Sequence, residues 1–305
     1  MRYRSLGRTG VQVSTLGIGT NQIGRVVDEA GAKALLDRAQ ELGINFIDSA
    51  ESYGPDGKSE ALLGKALAGR RDEFVVATKT GAGNDPGRQT RKRILQRLDA
   101  SLARLQSDYI DLYYLHFPDA ATPLEESLRA LEDATRAGKI RYAALSNHPA
   151  WQVAQAVGIQ ERHGWAPIAA SQMEYSLVER TVEREMLPAC ASLGIGFVPY
   201  FPLASGFLTG KYEKDVTPPA NTRFGRALQA GQKPRYLSDE NFAKLDKWKS
   251  FASERGHGVG ELAIAWLLAH PVVCSVIAGA TMPDQLTANA RGTDWELTMK
   301  DVEGL

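Results

Sequence analysis

The chain has 305 residues, 43% of them hydrophobic, and its 36 Lys plus Arg balance 36 Asp plus Glu. That balance leaves no basic stripe for nucleic acid. No charged-then-apolar leader and no apolar run of about 18 residues is present, so the expectation is a soluble, cytoplasmic protein without a membrane partner. Cys190 and Cys274 fall in a helix and a strand candidate and read as buried thiols of a reducing compartment, not as a disulfide framework.

In chain order, the opening MRYRSLGRTGVQVSTL alternates in polarity around GRTG and predicts a β-hairpin. Strand candidates follow at LGIGT (16–20), NFIDSA (45–50), FVVATK (74–79), YIDLYYLH (109–116), IRYAALS (140–146), IAASQMEY (168–175), GFVPY (196–200) and VCSVIAG (273–279). Between them AGAKALLDRAQELG, TRKRILQRLDASLARL, LEESLRALEDATRAG and VGELAIAWLLAH carry apolar residues at helical spacing. Short strands alternating with helices argue for parallel βαβ units. A doubly wound open sheet would place a Gly-rich fingerprint after its first strand, and LGIGTNQIG is not a GxGxxG. The expected architecture is therefore an α/β (β/α)8 TIM barrel whose bottom is capped by the hairpin, forming one domain over 1–305. The largest insertion lies between the seventh and eighth barrel strands, about 201–272, and its Gly-, Pro- and charge-rich part, 211–236, reads as a loop over the active face.

Polar residues stand where the apolar strand runs stop: Asp48, Lys79, His116, Ser146 with Asn147, Gln172 and Tyr200, at intervals of 31, 37, 30, 26 and 28 residues. Each interval is close to one βα unit, so all point into one bowl. A tyrosine has an ordinary pKa near 10, and a neighbouring ammonium lowers it. Lys79 can act in this way on Tyr53, Asp48 can hold Lys79 charged, and His116 can orient a carbonyl oxygen. Together these residues form a proton relay with no nucleophile and no metal cluster, so another group must deliver the rest of the chemistry. A nicotinamide cofactor is the natural donor of hydride. Ser146, Asn147 and Gln172 offer polar groups for its carboxamide, and Tyr200 a flat face for its ring.

Each residue also has a plainer reading. Asp48 and Lys79 alone would be a barrel-mouth salt bridge, and His116 alone a satisfied rim histidine. Two enzymatic rivals remain at this point. Lys79 would serve a Schiff-base aldolase, and Asp48 with Glu51 or Glu174 would serve a retaining glycosidase.

The hairpin start, LGIGT, FIDSAESYG, ATKTG, YLHFP, SNH, SQMEYSL, PYFPLASGFLTGKY and VIAGATMPDQLTAN occur in an order that resembles the aldo-keto reductases over essentially the full length. The branch it resembles contains bacterial reductases and potassium-channel β-subunits. The resemblance implies an oxidoreductase of small aldehydes, ketones or sugars that uses NADP(H), or alternatively NAD(H), with Tyr53 as general acid/base and Asp48, Lys79 and His116 completing a tetrad. It further implies that Thr20, Asn21 and Asp48 lie near the nicotinamide, that Ser146, Asn147 and Gln172 bind its amide, and that Tyr200 stacks on it. Leu203, Ser205, Gly206, Leu208 and Lys211 would follow the pyrophosphate, with Arg223 in the long loop and Gly279, Thr281, Gln285 and Asn289 around the adenosine. Four residues depart from the family pattern. Phe201 stands where Ser is frequent, and Ala280-Thr281 and Gln285 replace a Lys-Ser pair and an Arg that some members use on the 2′-phosphate. NADP(H) preference then rests on Arg223. The same branch implies a second reading, a non-catalytic nicotinamide-sensing subunit, and either a monomer or a homo-oligomer. Tyr53, Phe117 and His148 are expected to line a pocket with an apolar side.

Overall fold

The computed structural model describes residues 1–232 and 234–305. β1 (Tyr3–Ser5) and β2 (Gln12–Ser14) form the antiparallel hairpin, with Tyr3 opposite Ser14. Eight strands then pair in parallel: β3 (Leu16–Gly19), β4 (Phe46–Asp48), β5 (Val75–Thr80), β6 (Ile110–Leu115), β7 (Ile140–Ser146), β8 (Ile168–Glu174), β9 (Gly196–Tyr200) and β10 (Val276–Gly279). β10 returns to β3, with Gly279 opposite Gly19, and the barrel closes. The helices α1 (Glu29–Glu41), α2 (Lys58–Ala66), α3 (Arg91–Leu105), α4 (Leu124–Arg136), α5 (Ala150–His163) and α6 (Met186–Leu193) connect successive strands from β3 to β9. Between β9 and β10 lie α7 (Arg223–Gln229), α8 (Asp239–Ser253) and α9 (Val259–Leu268), and α10 (Pro283–Arg291) and α11 (Met299–Gly304) end the chain. Among the described residues no helix is long and apolar enough to cross a membrane.

The strands are apolar on both faces because both are covered. Phe46, Ala77, Leu112, Tyr114, Ala144, Ala170, Val198 and Ile277 fill the barrel, together with Leu6 and Val13 from the hairpin. A larger apolar layer fills the space between sheet and helices. The hairpin covers the N-terminal ends of the strands as expected. Arg4 donates to the carbonyls of Val273 and Leu268 at 2.6 and 2.7 Å. Gly7 has φ +59°, and a Cβ there would lie 2.7 Å from Ala169 O and 2.8 Å from Gly196 N, so only glycine lets the hairpin sit this close.

Two local features differ from the expected elements. β10 begins at Val276, not Val273. Phe197 of β9 pairs with Val273 while Tyr200 pairs with Ile277, so the last strand carries one extra residue across that span and the ladder is interrupted. The stretch 211–236 is not uniformly loop. It contains α7, whose N-cap Thr222 accepts from Gly225 N at 3.1 Å, and Phe224 of that helix packs between Tyr212 and Tyr236.

Candidate active site

Asp48 ends β4, Lys79 lies at the end of β5 and His116 just follows β6, so three neighbouring strands deliver them to one end of the barrel. Lys79 Nζ donates to Asp48 Oδ2 at 2.6 Å and to Ser49 O at 2.8 Å, with both side chains almost fully buried. The other carboxylate oxygen of Asp48 accepts from Gln172 Nε2 at 2.8 Å. Tyr53 sits in the turn between β4 and α2, which is tied by Tyr53 N to Ala50 O at 3.0 Å and Ser59 N to Tyr53 O at 3.1 Å. Gly54 has φ +72° and lets the chain reverse directly after the tyrosine. The Tyr53 ring centroid is 5.2 Å from Lys79 Nζ, and the His116 ring meets it edge-on at 6.2 Å and 75°.

Burial controls the ionisation of this group. Desolvation raises the Tyr53 pKa above its ordinary value; the Lys79 ammonium pulls it down and the Asp48 carboxylate pushes it up. The balance is a rise, so the lowering expected from Lys79 alone is outweighed by burial. Desolvation would lower Lys79, but Asp48 and Tyr53 hold its pKa above the usual lysine value. Burial, and next the charge of Lys79, bring His116 down from 6.5 to about 3, so its imidazole is neutral near neutrality. Its buried Nδ1 has no partner among the described residues. The arrangement is therefore a protonated phenol, an ammonium locked to a carboxylate and a neutral imidazole around one point.

The next strand ends supply polar groups, partly spent on one another. Asn147, at φ +60°, donates to His116 O at 2.9 Å and to Ser146 Oγ at 3.1 Å, and its Oδ1 accepts from the Tyr200 hydroxyl at 2.9 Å. Thr20 Oγ1 donates to Asp48 O at 3.0 Å, and Asn21 follows it beside the open Gly279. Of the seven non-glycine residues with positive φ among those described, Asn147, Phe201, Ala204 and Ser205 belong to this region. Such clustering of strained backbone marks functional sites. Gly206 continues the turn at φ +93°, and Lys211 Nζ lies 3.1 Å from where its Cβ would be.

A family model described as the aldo/keto reductase family matches residues 15–305. The chain belongs to the aldo/keto reductase family. Its relatives include a protein of rice, named a probable voltage-gated potassium channel subunit beta, 40% identical over 96% of this chain and 92% of the relative. The uncharacterized oxidoreductase YrpG of Bacillus subtilis is 35% identical over 97% and 92%. An L-glyceraldehyde 3-phosphate reductase of Escherichia coli is 33% identical over 95% and 87%. Family membership makes this chain an oxidoreductase on the aldo/keto reductase scaffold.

The remaining candidates in this aldo/keto reductase are spread along the same rim. Leu203, Ser205, Gly206 and Leu208 form the turn after β9, where Leu208 is fully buried and can present only its backbone outward. Arg223 is half-buried with its guanidinium 4.5 Å over the Phe201 ring, and its charge is felt at Tyr53. Gly279 is open, its absent Cβ no nearer than 3.8 Å to Asn21 and Gly19. Gln285 Oε1 accepts from Thr281 N at 2.8 Å and so braces the β10–α10 turn, and Asn289 is buried on α10. Glu51 and Glu174, which a glycosidase would need unencumbered, are both engaged. Glu51 takes Arg97 at 3.1 Å and Gly81 N at 2.9 Å, while Glu174 takes Arg235 at 2.9 Å and the Tyr236 hydroxyl. Arg235 also bridges to Glu179, so this cluster clasps the inserted loop to β8. Sequence reasoning missed that clasp because its residues lie some sixty positions apart, as between Glu174 and Arg235. Nor did it foresee that Arg88, in the loop GNDPGRQT, donates to Pro118 O just after His116.

Proposed function

We propose that the protein reduces aldehyde or ketone carbonyls with NADP(H), or runs the reverse reaction, with Tyr53 as general acid/base. The observation that carries this reading is the buried Asp48–Lys79 pair beside Tyr53 and a neutral His116. When bound, the nicotinamide supplies hydride. The residues fit such a group: Gly279 at the end of β10 is open, the turn at 201–206 holds left-handed backbone, and among the described residues neither Lys211 nor Arg223 forms an ion pair with a carboxylate. Tyr200 and Asn147 would flank the nicotinamide, with the free carbonyl of Gln172 toward its amide. Lys211 and Arg223 would meet phosphate, and Gln285 and Asn289 the adenosine side.

In this reading Asp48 fixes Lys79, Lys79 steadies negative charge developing on the Tyr53 oxygen, and Tyr53 passes its proton to the carbonyl oxygen. His116, uncharged, donates a hydrogen bond that orients the same oxygen. An ammonium held by Asp48 is a poor nucleophile, which argues against a Schiff base on Lys79. A nicotinamide-sensing subunit would have no need of a buried tyrosine, lysine and carboxylate set around a common point. The test is a panel of aldehydes, ketones and free sugars with NADPH, and of alcohols with NADP⁺, followed by absorbance of the reduced nicotinamide. Turnover with any carbonyl supports the reading. Tight NADPH binding with no oxidation of it across the panel would favour the sensing subunit.

A further inference from the structure

The β5–α3 loop is stitched to the loop after His116. Gln89 Nε2 donates to Phe117 O, Arg88 Nη2 to Pro118 O, and the backbone N–H groups of Gly87 and Gln89 to Asp119 at 3.3 and 3.0 Å. Phe117 in turn stacks on the His116 ring at 4.6 Å. The Arg88 guanidinium is therefore fixed at the wall of the bowl, beside the catalytic end of β6, on a frame with little freedom. It is half-buried, its Nε is buried without a partner, and among the described residues it forms no ion pair. The Asp119 carboxylate of the same clip is occupied by Gly87 N, Gln89 N, Ala121 N and the Thr122 hydroxyl. The charge of Arg88 is felt weakly at the buried His148, which follows the Ser146–Asn147 end of β7.

The clip to Pro118 O, with a longer contact from Nη1 to Asp85 O at 3.5 Å, uses two N–H groups of the guanidinium. The group carries five donors in a planar fork suited to carboxylate or phosphate, so three remain beyond those two carbonyls. Half-burying a cation without a carboxylate is costly unless an anion arrives to share the site. We infer that the carbonyl substrate bears an anionic group, a carboxylate or a phosphate, and that Arg88 receives it while the carbonyl points to Tyr53 and His116. Arg88 is thus a specificity-determining residue. This rests on the reductase reading above.

Matched pairs test it: butanal against succinic semialdehyde for carboxylate, and glycolaldehyde against its phosphate ester, each with saturating NADPH. The parent should favour the charged member of at least one pair, and which pair tells carboxylate from phosphate. In Arg88→Met the charged-to-neutral ratio of kcat/KM should fall by about 10- to 100-fold, mainly through KM, the usual worth of a charge-assisted contact. Arg88→Lys should restore part of it, which a merely structural clip would not do. A parent that shows no preference for charged members, or a ratio unmoved in both variants, overturns the inference while leaving the reductase reading in place. A parent that binds NADPH and reduces neither member of any pair overturns the inference, and the reductase reading falls with it only if the wider panel of aldehydes, ketones and sugars also gives no turnover.

Discussion

Tyr53 is kept protonated by burial, and His116 is kept neutral by burial and by Lys79. Both states are the ones carbonyl reduction needs, and neither is visible in a list of residue types. Tyr53→Phe should lower kcat by about two to four powers of ten, the worth of a positioned general acid. NADPH binding, read by tryptophan quenching, should survive; a variant turning over near the parent rate would remove Tyr53 from the role. Because the His116 pKa is about 3 and not 6.5, the kcat profile for reduction should show no inflection near 6.5. An inflection there that vanishes in His116→Gln would mean that the imidazole is charged in the working enzyme. In the proposed reading, coenzyme choice turns on Arg223. A guanidinium on the 2′-phosphate is worth about 1.5–3 kcal/mol, so Arg223→Ala should weaken NADPH by roughly 10- to 150-fold and leave NADH nearly unchanged. Its position over Phe201, with its charge felt at Tyr53, makes the alternative concrete. Equal losses for the two cofactors would assign Arg223 to the pyrophosphate or to the nicotinamide end.

At the level of elements, the eight barrel strands were legible because each is a short apolar run ending in a polar residue, and the hairpin because its polarity alternates about GRTG. What was not legible depends on partners distant in the chain. The slip that delays β10 to Val276 arises from Phe197 pairing with Val273, and no local pattern announces it. Gly64 is a second case. In the sequence it is only a weak spot in α2, and replacing it with alanine in an isolated helix would stabilise by about 1 kcal/mol. In the fold, a Cβ at Gly64 would lie 2.5 Å from Arg104 O and 2.7 Å from Leu105 C, backbone atoms at the end of α3. The close approach of α2 to α3 also sets the turn that carries Tyr53, since Glu60 of α2 pairs with Arg104 at 2.7 Å. Gly64→Ala should therefore destabilise by about 1–3 kcal/mol, as overpacking does, despite the better helix former. A urea midpoint at or above that of the parent would show that the two helices can separate at no cost.

For the molecule as a whole, the site places polar groups where a barrel would otherwise bury apolar ones, and the consequence is sensitivity to acid. His116 is lowered from 6.5 to about 3 by burial and by Lys79, His148 from 6.5 to about 4 by burial, and His270 is lowered by burial too. In the unfolded chain these rings take up protons as pH falls through 6.5, whereas in the fold they stay neutral. The unfolded state then binds more protons, and stability, fully present above 6.5, declines as pH falls toward the folded values. With His116 and His148 alone the slope reaches about 2.7 kcal/mol per pH unit, a large share of a total of roughly 5–15 kcal/mol. Asp119 and Asp133, held below their ordinary 3.8, add losses of the same sign, but mainly at lower pH. Glu51, raised by burial, works in the opposite sense and offsets part of the decline. Denaturant titrations at pH 7, 6, 5 and 4 should therefore show a steady fall in unfolding free energy that begins just above pH 6, before carboxylates titrate. The double variant His116→Gln/His148→Gln should flatten it between about pH 6.5 and 5, where those two rings account for most of the difference in bound protons. A parent equally stable at pH 7 and pH 5 would mean that these histidines are charged, or reached by water, in the folded protein.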